Sequence, residues 1–92
     1  MAEGLRALPG AELVERGLAD LERGIVSEEA LLVSIGAPRL TMLGIPVASP
    51  LDDPEHQLYA LLSRRHDDAA HSRYNALIRR LVSFERALAC VG

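Results

Sequence analysis

The stretch AHSRYNALIRRLVSFERALACV, residues 70–91, decides the fold. Within it Ala70, Tyr74, Leu77, Leu81, Phe84, Leu88 and Val91 recur at alternating spacings of four and three. That repeat lines seven side chains along one side of a helix, the pattern of a helix packed lengthwise against another helix. Four arginines stand off that line: Arg73, Arg79, Arg80 and Arg86.

Working back from this helix, Asp53-Pro54-Glu55 is a strong start signal. Aspartate caps, proline presets the first helical φ, and glutamate suits the positive end of the helix dipole. Leu58, Leu61 and Leu62 then form an apolar face. At 100° per residue that face is about 140° out of phase with the later seam. Either the helix breaks near His66-Asp67-Asp68, or one long helix shows two faces to two partners.

The first half reads as helix too. Val14, Leu18, Leu21 and Ile25 share a stripe within a helix expected over about 11–23, and Gly24 stands where a left-handed cap is wanted. Leu5 and Leu8 extend the stripe backwards, against Pro9-Gly10. Gly17 inside the helix marks a close helix crossing. Ser27 caps the next helix, Glu28–Ile35, which is apolar on most sides and therefore belongs in the core. Gly36-Ala37-Pro38 ends or kinks it, and Arg39–Leu43 adds another turn.

Residues 44–54 hold three of the five prolines and read as an extended connection. No strand alternation is present. The expected fold is all-α, a single domain over residues 1–92, with four or five helices arranged as two antiparallel hairpins. One hairpin covers about 11–43. The other covers about 54–91, as a hairpin or a kinked long helix.

The chain has 92 residues, 49% of them apolar. So small a domain buries only about two thirds of its unfolded surface, so apolar excess tends to be hidden in a partner. The expectation is a homodimer formed through Tyr74, Leu77, Leu81, Phe84 and Leu88. With a single cysteine, Cys90, no internal disulfide can form, which suits a reducing compartment. The chain shows no signal peptide and no apolar run of membrane length, so a cytoplasmic protein is expected.

Charge is unevenly shared. Residues 1–55 hold ten acids and four arginines, whereas residues 56–92 hold three acids and six arginines. Complementary packing of the two halves explains this most simply. A basic half that meets an acidic partner or nucleic acid is the alternative.

The densest polar cluster runs from Arg64 to Asn75. If helix continues through it, Arg64, Asp67, His71 and Asn75 stack on one face with Tyr74 at the margin. The common reading makes Asp67 or Asp68 a helix cap and the arginines solvated. Asp67 and His71, one turn apart, could alternatively share a metal ion, but no HExxH or CxxC motif supplies further ligands, and no metal or cofactor is expected. The spacing of Arg64 and Arg65 to His71 loosely resembles the arginine–histidine signature of the HEPN superfamily, whose helical dimers include metal-independent ribonucleases. The resemblance implies that Arg64 or Arg65 holds phosphate and His71 transfers a proton. The candidate catalytic residues are then Arg64, Arg65, Asp67, His71 and Tyr74. Two function classes follow: a small helical interaction module without catalysis of its own, which the sequence favours, and an RNase or toxin-type enzyme.

Overall fold

The computed structural model describes residues 3–91. They form α1 (Glu3–Arg6), α2 (Ala11–Glu22), α3 (Glu28–Ile35), α4 (Ala37–Met42), α5 (Pro54–His66), a 3-10 turn (Asp67–Ala69) and α6 (Ala70–Val91). No strand occurs among the described residues. The fold is a small all-α bundle, as the spacings predict. Pro9-Gly10 does separate α1 from α2, with Gly10 at a left-handed φ of 79°.

α3 is the centre of the bundle. Ala30, Leu31, Leu32, Val33 and Ser34 are all buried, and α2, α4, α5 and α6 each pack against this helix. The sequence signal was its lack of a polar side. Leu58 and Leu62 of α5, Val14 of α2, Leu40 of α4 and Phe84 of α6 complete the core, each with essentially no exposed surface.

The start of α3 is built by a relay. The Ser27 hydroxyl accepts from the Ala30 N–H at 3.0 Å and donates to Asp20 Oδ2 at 2.6 Å. One side chain thus caps α3 and ties it to α2. Ser27→Ala removes the cap and leaves the buried Asp20 without its hydroxyl. The expected cost is about 1–2 kcal/mol, read as a lower midpoint in urea denaturation.

Residues 44–53 carry no helix, as the prolines predict. They are nevertheless pinned. Ile45 is buried, and the Leu51 N–H donates to Ser34 Oγ at 3.0 Å. The same Ser34 hydroxyl donates to the Ala30 carbonyl, so a buried polar residue in α3 serves the connection.

Asp53 occupies the N-cap position of α5, but it does not cap as expected. Its backbone is left-handed (φ 45°, ψ 51°) and its side chain makes no cap hydrogen bond. A capping side chain needs an extended backbone at that position to reach the first free N–H groups. Here Gln57 N–H bonds to the Asp53 carbonyl instead, and the Gln57 side chain bonds to the Asp52 carbonyl.

The phase conflict between α5 and α6 is resolved by a break. Asp67 takes φ 48° and ψ −111°, and a single 3-10 turn follows. The Tyr59 and Tyr74 ring centroids then lie 5.6 Å apart. A continuous helix would separate these residues by roughly 22 Å, so the chain reverses direction between them.

That reversal spends most of the seam inside the chain. Ala70, Leu81, Phe84 and Leu88 are buried in its own core, Tyr74 and Leu77 are half-buried, and Val91 is exposed. The surface expected to pair copies through Leu81, Phe84 and Leu88 is therefore not on the outside. No helix among the described residues is long and apolar enough to cross a membrane.

Candidate functional site

The break at Asp67 undoes the expected stack of Arg64, Asp67, His71 and Asn75. Only His71 and Asn75 still share a face, one turn apart on α6, with His71 Nε2 3.2 Å from Asn75 Nδ2. Asp67 lies outside α6, at a positive φ of 48°. Neither Asp67 nor Asp68 makes a side-chain hydrogen bond among the described residues, so neither supplies the expected cap to α6.

The candidate residues divide into two groups. Arg65, at the end of α5, donates to Glu28 Oε2 at 2.9 Å, and His66 Nε2 lies 4.0 Å from the same oxygen. Glu28 opens α3, so this group closes the bundle at one end. His71 and Tyr74 gather instead around Tyr59 of α5. The Tyr59 and His71 rings are 6.4 Å apart in an edge-on arrangement. Arg64 is exposed, about 140° around α5 from Tyr59 at 100° per residue, and joins neither group. The structure thus brings together Tyr59, His71, Tyr74 and Asn75, and it places Arg64 and Arg65 elsewhere.

Burial pushes the Tyr74 phenol above its usual value, and the nearby Glu55 carboxylate adds to the effect. The phenol therefore stays protonated at neutral pH and acts as a hydroxyl, not as a base. No group of three or more His, Cys, Asp or Glu side chains among the described residues could hold a metal ion. The Asp67–His71 pair has no third ligand beside it.

Charge complementarity between the two halves is visible. Arg65–Glu28 and Arg80–Glu12 both tie the basic half to the acidic half. Such exposed pairs contribute at most about 1 kcal/mol each.

Two open clefts flank α2 and α6. One, of about 400 Å³, lies between Leu18, Leu21 and Glu22 of α2 and Pro46, Ala48 and Ser49 of the connection. The other, of about 160 Å³, is lined by Glu28, Arg73, Ala76, Leu77 and Arg80. Neither contains His71 or Tyr74.

Sequence reasoning overlooked Glu85. It is buried on α6, with Oε2 3.1 Å from where a Cβ on Gly36 would stand. The available signal was that Glu85 is the sole acid in residues 70–91. Loss of water raises its pKa, while Arg39 pulls it partly back. A raised folded-state pKa contributes stability below the unfolded pKa, and that contribution is lost as pH rises through the folded value. Glu85→Gln is therefore expected to be more stable than the parent at pH 7. The difference should shrink as pH falls towards 4, which thermal melts across that range would show.

No protein-family model matches the chain, and no curated protein or solved structure matches it significantly.

Proposed function

We propose that this chain is a small helical interaction module that self-associates and acts by binding, without catalysis of its own. One observation carries the reading. After the core is filled, Ile25, Val26, Met42, Tyr59 and Val91 remain 41–78% exposed. Large apolar side chains left in water lose the stabilisation that burial gives, roughly 1.5–3 kcal/mol for a full-sized side chain. A second protein surface recovers it. The placement of Arg65 against Glu28, away from His71, weighs for binding over the HEPN-like arrangement of arginine and histidine. The lone cysteine and the absence of any need for a disulfide suit a cytoplasmic setting.

The test is analytical ultracentrifugation over a range of concentrations, with a parallel incubation of purified protein with mixed RNA. Concentration-dependent dimerisation and intact RNA are expected. A monomer at high micromolar concentration would overturn the reading. So would RNA cleavage that His71→Ala abolishes.

A further inference from the structure

We infer that the outward side of α6 binds double-stranded DNA, lying in the major groove and held by the phosphates of both strands. This goes beyond the binding role proposed above and does not require self-association. α6 has 22 residues, about 33 Å at 1.5 Å per residue. The bundle measures 37 × 25 × 19 Å, so α6 runs along its longest dimension. Its outward side carries Arg73, Arg79, Arg80 and Arg86, all exposed, and no exposed acid. Glu85, the only acid of residues 70–91, is buried against Gly36. Among the described residues Arg80 pairs with Glu12, while Arg73, Arg79 and Arg86 enter no ion pair. A helix side with uncompensated guanidinium groups attracts a polyanion.

The placement of the arginines says which polyanion. At 100° per residue Ser72, Ala76, Ser83 and Cys90 fall within about 40° of one another, roughly opposite the buried Leu81 and Leu88. All four are exposed, so the outermost ridge of α6 consists of small side chains. Arg79 and Arg86 stand about 40–60° to one side of this ridge, and Arg80 and Arg73 about 60–80° to the other. From Arg73 to Arg86 the two rows extend about 20 Å along the axis. A low ridge between two rows of cations matches a groove between two rows of phosphates. A helix with its side chains is about 10–12 Å across, and the major groove of B-form DNA is about 12 Å wide.

Other polyanions fit this side less well. The major groove of A-form RNA is too deep and narrow to admit the ridge. A single acidic helix would lie along one arginine row and leave the other without a partner. With Ser72 and Ser83 as the only polar side chains on the ridge, no bidentate reader of base edges is present. The contacts are therefore to the backbone, independent of sequence and sensitive to salt. Glu12 and Glu28 border the row of Arg73 and Arg80, so the row of Arg79 and Arg86 is the one to alter.

The test measures binding of the full chain to a labelled, mixed-sequence DNA duplex by fluorescence anisotropy as salt is raised. Four phosphate contacts predict that affinity falls on the order of 100-fold between about 50 and 200 mM salt. Arg79→Gln/Arg86→Gln should bind more weakly at low salt, and over the same range should lose only about tenfold. Arg16→Gln/Arg23→Gln removes the same charge from exposed positions at α2 and should keep the parent's salt dependence. All four sites are exposed, so circular dichroism should show both variants folded. Absence of duplex binding at low salt would overturn the inference. So would an equal effect of the two double variants, which would mean bulk charge and not this side of α6. Duplex RNA or polyglutamate bound as tightly as DNA would overturn the choice of ligand. Sedimentation of the same proteins reads self-association separately, so a failure here leaves that reading standing.

Discussion

Phe84→Ala is expected to lower the unfolding free energy by about 3–5 kcal/mol, the range for emptying an aromatic site in a core. Phe84 has no exposed surface and is the largest fully buried side chain among the described residues. Domains of this size hold roughly 5–15 kcal/mol in total, so the variant should be partly unfolded at 37 °C. Urea denaturation at several protein concentrations checks this and does a second job. Loss of a core residue shifts the midpoint equally at every concentration. Loss of an interface residue shifts it more where the protein is concentrated. The structure requires the first pattern for Phe84 and for Leu81. Leu77→Ala, on the same seam but half-buried, should cost less than either.

The contrast between Phe84 and Tyr74 shows how far the sequence could be read. A four-three repeat establishes that seven residues share one side of a helix. It cannot say whether the surface they meet belongs to the same chain. That depends on where the chain turns back, and the turn is made by Asp67 in a backbone conformation that aspartate adopts only at some cost. The sequence offered a phase conflict between Leu58 and Leu81, and that conflict located the break without describing its geometry.

The same turn explains why the polar cluster does not assemble as its spacing predicts. Residues 64–75 stack on one face only along an unbroken helix. Once the helix ends at His66, Arg65 follows the end of α5 towards Glu28 and His71 begins a new face. Tyr59 could not be linked to them from sequence, because its contacts with His71 and Tyr74 exist only across the reversal. Ser27 and Gly24 were legible for the opposite reason: caps depend on a few neighbouring residues and on nothing distant. Glu85 is legible only as the sole acid of residues 70–91, and its burial is not. Its burial comes from Gly36, nearly fifty residues earlier, whose missing side chain leaves room for the carboxyl group.

Gly17 makes the corresponding point for α2 and α3, and replacing it carries the second large effect. A Cβ at that position would stand 2.3 Å from the Glu29 carbonyl oxygen and 2.7 Å from Val33 Cγ1. The first neighbour is backbone at the start of α3 and cannot rotate aside. Alanine in a helix interior normally gains about 1 kcal/mol over glycine. Here that gain is outweighed, because α2 must lift from α3 at its closest approach. Overpacking of this kind costs about 1–3 kcal/mol, and contact with rigid backbone belongs at the upper end. The net expectation for Gly17→Ala is a loss of about 2 kcal/mol. Gly4→Ala supplies the control, since nothing lies within 4 Å of the added atom and no loss is expected. Lifting α2 also moves Asp20 away from Ser27, so amide hydrogen exchange should rise first at Ala30 and Leu31, whose N–H groups bond to Ser27. Uniform acceleration across the bundle, or a Gly17→Ala variant as stable as the parent, would show that the crossing is not held at this distance.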